Sequence, residues 1–457
     1  MKKIVIIPSN TDLNRGDQAL VWETHRLAKE IGYEKHECYL FDAGTNINEI
    51  EMQKKQSISQ GYKFLTPILS HPESLEYRLH SIFKVRSSSQ AIKYSLSRKV
   101  LWGLKASFDV FTKSLLLSGN SLLYSIGYSL LKKEKREALT ILRESDAVFV
   151  KGGGFIHSLD KGLISDYYVF YSVFHIWLAN SLGKKVYIMP NSYGPFPSKI
   201  SKWLIKKSLK NVEFISAREQ ISKGVLESVI NKDVAKYPDL GFFLEINEQK
   251  KTEAYDYLVE KQVPIEKNKL VGVTVRPYRF PKSSNPEEKY AQYIHGISEF
   301  CKYLIGKGYH PVLISQTLGP SDHENDYLAI EAVVNRLAEE TIGKYSVIHD
   351  FELNCIDVKS IYSHMDYLIG TRFHSVIFAL TSRVKSIAIG YGGNKGKGIM
   401  EDAKLTEYQI PIEEADDKIL ISKFEQLVND DSYQEKLKQY LTFIDKKRKE
   451  LIDHLVD

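Results

Sequence analysis

Short apolar runs rich in Val, Ile, Phe and Tyr recur at residues 4–8, 38–41, 147–150, 186–189 and 214–216, and again at 270–275, 311–315, 345–348, 367–370 and 386–389. Helical periodicity lies between most of them, around 18–31, 167–182, 290–305 and 327–337. It closes the chain at 433–456, where Leu437, Leu441, Ile444, Leu451 and Leu455 share a face. Strands alternating with helices predict parallel sheets with right-handed crossovers. A polar, Lys- and Glu-rich stretch at 247–269, with a helix expected before Pro264, divides two such series. The pattern therefore predicts an α/β chain with a Rossmann-like domain over 1–246, a second over 247–410, and helices at 411–457 that pack back across both. Two such domains facing across a cleft would place their strand-end loops in a shared ligand site.

The segment from about 57 to 137 interrupts this rhythm and reads as a helical insertion in the first domain. Leu101, Leu104, Phe108, Phe111 and Leu115 follow helical spacing, and 114–131 carries no charge. Ser, Gly, Asn and Tyr dilute that stretch too much for a membrane span. The stripe suits a helix packed on the core or on a second subunit, or an interfacial helix lying on a lipid surface.

Charge sharpens the second alternative. The formal net charge is +6, but residues 78–133 hold ten Lys and Arg against Asp109 alone, so this segment carries +9 and the remainder −3. The basic stripe has few aromatics at stacking intervals, which argues against nucleic acid and for an anionic membrane surface. Apolar residues make up 43% of the chain, which excludes a disordered protein and permits large cores. Residues 1–8 offer four apolar positions between Lys3 and Pro8, a first strand and not a signal peptide. Cys38, Cys301 and Cys355 form no C-x-x-C pair, so neither a disulfide framework nor a zinc site is expected, and the compartment reads as cytoplasmic.

Candidate chemistry gathers where strands end. "LIGTRFHSVIFAL" (368–380) is a buried strand, a turn and an apolar helix, with Arg372 and His374 at the junction. Unpaired N–H groups and the helix dipole favour an anion there, Arg372 adds a planar fork, and His374 can exchange a proton near neutrality. "LNRGDQAL" (13–20) opens a helix after the first strand, bringing Asn14, a turn at Gly16, and Asp17 as a cap or an acceptor for sugar hydroxyls. "VFVKGGGFIHS" (148–158) supplies Gly152, Gly153 and Gly154, a loop that lets a ligand approach the backbone, and His157 at a polar mouth. It matches neither nucleotide fingerprint. Arg218 in "ISAREQIS", Arg276 and Arg279 in "VGVTVRPYRFPK", and Lys395 and Lys397 in "YGGNKGKG" stand at further strand ends. "DHEND" (322–326) precedes a helix, where the dipole alone favours acids. No metal-ligand pattern and no nucleophile elbow is present.

Taken in order, "NRGDQA", "VKGGGFIH", "NSYGPF", "SAREQIS", "YPDLGF", "VTVRP", "GTRFHSVIFAL" and "YGGNKG" resemble the polysaccharide pyruvyl transferase family over residues 1–55 and 138–405. The resemblance implies a GT-B-like fold and transfer of pyruvate from phosphoenolpyruvate onto two hydroxyls of a sugar, forming a cyclic ketal, with no cofactor beyond the donor. By position the family's Arg-x-His falls on Arg372 and His374, with Phe373 where a Leu is usual, and its second-half strand-end arginine falls on Arg276. His374 is then the expected general acid, or a donor to the leaving phosphate. Arg372, Arg276 and Lys395 would bind the donor, and Asp17, on the facing domain, would hold or deprotonate the acceptor. Phosphoenolpyruvate and a sugar, lipid-linked sugars among the candidates, are the expected partners of an enzyme at the inner face of the cell membrane. A GT-B glycosyltransferase using a nucleotide sugar and a non-catalytic scaffold of polysaccharide assembly are the competing readings.

Overall fold

The computed structural model describes residues 2–42, 51–70, 96–158, 160–391 and 395–456. The chain divides into two compact units, each built on a parallel sheet. The first comprises residues 1–11, 24–239 and 454–457, and the second 12–23 and 240–453. The division thus falls at Asp239 and not at 246. It also assigns 12–23, expected with the first domain, to the second unit.

The first sheet contains β1 (Lys2–Asn10), β2 (His36–Asp42), β3 (Lys63–Leu65), β4 (Ala147–Val150), β5 (Gly153–Ile156), β6 (Lys185–Tyr193), β7 (Phe214–Ala217) and β8 (Ala235–Lys236). Its order is β3-β2-β1-β4-β6-β7-β8, with β5 on the extended end of β6, and every pairing is parallel. Val5 and Ile7 of β1, Val148 and Val150 of β4, and Val186 and Ile188 of β6 alternate toward one face. Val169, Phe170, Val173 and Phe174 of the helix Leu163–Ser181 join them in one core. Each such fully buried side chain contributes about 1.5–3 kcal/mol relative to exposure.

The interrupting segment is not helical throughout. Lys63–Leu65 is the edge strand of this sheet, paired with β2. Helices follow at Leu96–Ser114, Ser121–Ser129 and Lys133–Glu144, while 71–95 lie outside the described residues.

The second sheet contains β9 (Leu270–Thr274), β10 (His310–Ile314), β11 (Ser346–Ile348), β12 (Tyr367–Gly370), β13 (Lys385–Gly390) and β14 (Gln409–Pro411), ordered β11-β10-β9-β12-β13-β14 and wholly parallel. The helix Pro286–Gly306 starts where Pro286 occupies the first turn behind Asn285, and the helix Asp417–Val428 starts where Asp416 accepts Ile419 N–H at 2.8 Å. The two meet through the edge-to-face pair of Phe300 and Phe424, whose ring centroids are 5.6 Å apart. Tyr309 and Tyr367 also set their rings against Phe424, closing an aromatic cluster over the sheet. Among the described residues no helix is long and apolar enough to cross a membrane.

Phe424→Ala should destabilise the chain by about 3–5 kcal/mol, because the three aromatic neighbours cannot collapse into the cavity. Chemical denaturation measures this, and a loss no larger than that of a surface substitution would show the cluster to be dispensable.

Candidate functional site

The turn after β12 is fixed by hydrogen bonds from its neighbour β9. Thr274, paired with Gly370, accepts Thr371 N–H on Oγ1 at 3.1 Å, and its carbonyl accepts Thr371 Oγ1–H at 2.6 Å. Thr274 Oγ1 also lies 2.9 Å from Ser375 Oγ, and Ser375 donates to the Arg372 carbonyl at 2.6 Å. Gly370 is required by close approach, since a Cβ there would stand 2.6 Å from Val376 Cγ2. The chain thus turns sharply into the helix Phe373–Thr381, with Arg372 at its N-cap position.

Arg372 is buried and anchored. Its Nε and Nη2 donate to Asp326 Oδ1 at 2.8 and 2.6 Å, and Asp326 Oδ2 accepts the backbone N–H groups of Gln316 and Thr317 at 3.0 and 2.9 Å. Burial opposes the guanidinium charge, but attraction and hydrogen bonding from Asp326 outweigh it, so Arg372 is held more firmly charged than usual. One edge of the fork is therefore committed to Asp326. Nη1 has no hydrogen-bond partner among the described residues and leaves the other edge able to grip a ligand.

Residues 12–23 complete the second unit from a distant part of the sequence. Asn14 forms an antiparallel bridge with Thr317, and Leu318 N–H donates to the Leu13 carbonyl at 2.8 Å. Arg15 is fully buried, donating to the carbonyl of Leu353 from Nε and Nη2 at 3.1 and 3.0 Å and also to that of Asp350. Burial pushes its pKa down to about 10, partly offset by Asp350 and Asp326, so it stays charged at neutrality. Gln18 reaches Cys355 N–H at 2.7 Å. Gly16 packs on His374 so tightly that a Cβ would lie 2.1 Å from its Nδ1. These contacts explain why 12–23 belong to the second unit and correct the expectation that Asp17 stands on a facing domain.

Arginines gather at the C-terminal edge of the second sheet, with Asp322 and Glu324 among them. Arg276, two residues beyond β9, lays its guanidinium 4.1 Å from the centroid of Tyr391, which follows β13. Arg279 Nη2 donates to His323 Nδ1 at 3.3 Å, and Ser321 Oγ lies 3.0 Å from the same nitrogen. Burial first, then Arg279, Arg276 and Arg372, push the His323 pKa down to about 4. Three arginines therefore act on one imidazole beside the start of Phe373–Thr381. Two buried donors nearby in the fold, Arg15 Nη1 and Gln316 Nε2, have no acceptor among the described residues.

The other sequence candidates have different fates. Asn14 Oδ1 accepts Gly16 and Asp17 N–H at 3.1 and 3.3 Å, making it the cap of the helix Arg15–Glu30. Asp17 sits in that helix's first turn, its Oδ2 3.4 Å from Asn14 Nδ2. In the first unit Gly153 and Gly154 are not loop but strand, with Gly153 in register with Asn191, while Gly152 precedes them. His157 Nδ1 is bonded to the Gly154 carbonyl at 2.9 Å. Arg218 is buried in an ion pair with Asp239 and donates to Ser192 Oγ at 2.7 Å. Lys395 opens the helix Lys395–Asp402, but its side chain and that of Lys397 lie outside the described residues.

Sequence reasoning missed Asp326 and His323, both dismissed as acids and neighbours of an ordinary helix start, and it missed Arg15. It also missed one group with metal-ligating chemistry. His25, His36 and Cys38 place their donor atoms within 4.8 Å of one another. There the two Nε2 atoms are hydrogen-bonded at 2.6 Å, and burial keeps the Cys38 thiol protonated. His36 stands at the N-terminal end of β2, opposite the strand ends where ligands bind in such sheets.

A family model described as polysaccharide pyruvyl transferase matches residues 63–393. Among solved structures the chain is similar to the trehalose-6-phosphate phosphatase N-terminal domain of Candida albicans, with TM-score 0.52 and 12% identity over 100% of this chain and 97% of that one. It is also similar to the UDP-forming α,α-trehalose-phosphate synthase of Burkholderia vietnamiensis, with TM-score 0.51 and 11% identity over 99% and 96%. A third likeness is to UDP-GlcNAc 2-epimerase from Methanocaldococcus jannaschii, with TM-score 0.50 and 12% identity over 97% and 100%. These likenesses show the fold, a GT-B-like pair of parallel α/β units.

Asp326→Asn should cost about 3–5 kcal/mol, because it strands the buried Arg372 charge. Urea denaturation reads the loss, and a midpoint equal to that of the unaltered chain would show that Arg372 does not depend on Asp326. His323 should titrate near 4, below the usual 6.5. The fold favours its neutral ring, so the stability it contributes is present above 6.5 and is lost as pH falls from 6.5 toward 4. Inorganic phosphate bound among the arginines should raise that midpoint, as followed by the ring Cε1 proton in NMR. A midpoint near 6.5 in the free chain would contradict the placement.

Proposed function

Because this chain belongs to the polysaccharide pyruvyl transferase family, we propose that it moves pyruvate from phosphoenolpyruvate onto two hydroxyls of a sugar in a cell-surface polysaccharide or its precursor. The product is a cyclic ketal and the leaving group is phosphate. The observation that carries this reading is the set of arginines at the strand ends of the second sheet: Arg372 at the start of Phe373–Thr381, fixed by Asp326, with Arg276 on Tyr391 and Arg279 on His323. Phosphoenolpyruvate bears a phosphate and a carboxylate on one carbon, and such a dense anion is stabilised by several cations and a helix N-terminus together. The open edge of Arg372 would take one anionic group in a fork, and Arg276, stacked on Tyr391, would take the other.

The reaction needs a proton at the methylene carbon of the enol. Protonation there leaves oxocarbenium character on the central carbon, and one sugar hydroxyl attacks it. The bond from that carbon to the phosphate oxygen then breaks, phosphate departs with its electron pair, and the second hydroxyl closes the ketal. Of the two hydroxyl protons, one in effect replaces that delivered to carbon and one leaves with phosphate. His374 is the proposed proton donor. Its ring is packed against Gly16, which limits the positions it can adopt. Asp17, in the same helical turn as Gly16, is the proposed partner of the acceptor hydroxyl.

A thermal-shift titration with phosphoenolpyruvate, run beside UDP, GDP and CMP, tests the donor. At about one hundred times Kd the ligand stabilises the chain by about 2.7 kcal/mol. Arg372→Lys should lose that shift because a point charge cannot replace the fork. His374→Ala should keep it while turnover falls by about 10²–10⁴. Stabilisation by a nucleotide and not by phosphoenolpyruvate would move the protein to nucleotide-sugar chemistry.

A further inference from the structure

The helix Leu96–Ser114 is turned inside out. Leu104, Phe108 and Phe111 are 65%, 61% and 64% exposed, and Val100 and Leu101 are exposed beside them. The opposite face is inward. Ala106, Thr112 and Lys113 are buried, Lys113 Nζ bonds Asp109 Oδ1 at 2.8 Å, and Trp102 sets its ring edge-on to Tyr167 at 5.4 Å. A helix folded only to fill a core would show the reverse.

The exposed apolar character continues on neighbouring elements. The helix Ser121–Ser129, which packs on this one, exposes Leu122, Leu123 and Ile126, and Leu130 follows them. The first residues of Leu163–Ser181, Leu163 and Ile164, are also exposed, in the helix that receives Trp102. So many large apolar side chains clustered in one region of a surface mark an interaction site.

We propose that this face docks on the anionic leaflet of a membrane. Charge selects that occupant. In the sequence residues 78–133 carry +9 while the rest of the chain carries −3, and among the described residues the exposed Lys132 and Lys133 directly follow the apolar stretch. A symmetric interface over this stretch would bring the like-charged lysines of two copies together, whereas phosphate headgroups neutralise them. No described helix can span a bilayer, so the helix lies in the interfacial plane with its leucines and phenylalanines among the acyl chains. The purpose follows from the functional reading above and rests on it: the site would be brought to a sugar carried on a lipid. The docking itself needs neither substrate.

Flotation of the full chain with vesicles of phosphatidylcholine, with and without phosphatidylglycerol, tests the proposal. The chain should float with the anionic vesicles and stay behind with the neutral ones, and binding should weaken as salt rises. Leu104→Ser, Phe108→Ser and Phe111→Ser together should lower partitioning by about tenfold or more, because each withdraws a large apolar side chain from the lipid. These side chains are exposed, so the melting temperature and phosphoenolpyruvate-dependent shift of the triple variant should match the unaltered chain. Lys132→Glu with Lys133→Glu should weaken anionic binding without touching the apolar face. Absence of flotation, equal flotation with both vesicles, or a lipid-free dimer that the serine variant dissolves would each overturn the proposal. None of these results depends on which donor the site uses.

Discussion

A single buried carboxylate organises the second unit. Asp326 is wholly inaccessible and accepts four hydrogen bonds, two from Arg372 and two from the backbone of Gln316 and Thr317. It therefore ties the exit of β10, the start of the helix Asp326–Val334 and the turn after β12 to one atom group. Placing both charges out of water costs several kcal/mol each, and the pair is tolerable only because both carboxylate oxygens are saturated. With Asp326 so occupied, Arg372 cannot swing. Its remaining edge is held in a fixed direction, which is what a binding fork requires.

The same arrangement determines the field beyond the sheet. Asp326 neutralises one arginine inside the fold, but Arg276 and Arg279 have no carboxylate partner among the described residues and are held by a tyrosine face and an imidazole. His323 registers part of the result, because burial first and then these arginines keep its ring neutral. Like charges held close are unfavourable until an anion enters between them. Under the proposed reading, an anion entering there would meet cations that are already held in place.

How much of this was readable in the sequence depends on the range of the signal. Ten of the strands appear as apolar runs, and the helix Tyr433–Val456 follows its leucine spacing closely. β3, β5, β8 and β14 were not foreseen. Three of them span two or three residues, too short for periodicity, and β5 is half glycine. The turn bearing Arg372 and His374 was legible because strand, glycine, cation and apolar helix follow in eight or so residues. Asp326 was not, because its partner lies 46 positions away and an acid at a helix start already has a local explanation. Residues 12–23 were assigned to the wrong unit for a similar reason. Chain proximity to β1 suggested the first domain, while the bonds of Leu13, Asn14, Arg15 and Gln18 run to residues beyond 315.

The helix Leu96–Ser114 shows the limit of periodicity from the other side. Its spacing correctly marks an amphipathic helix, but spacing carries no information about which face turns inward. The inward face is set by what the surroundings offer. Tyr167 presents an aromatic edge to Trp102, and Lys113 and Asp109 satisfy one another within a single turn, so the polar side can be covered without an unpaired charge. That removes the usual penalty for burying the polar face and frees the leucine and phenylalanine face for a different medium. The orientation is an outcome of local charge pairing, and it leaves the apolar stripe exposed among the described residues.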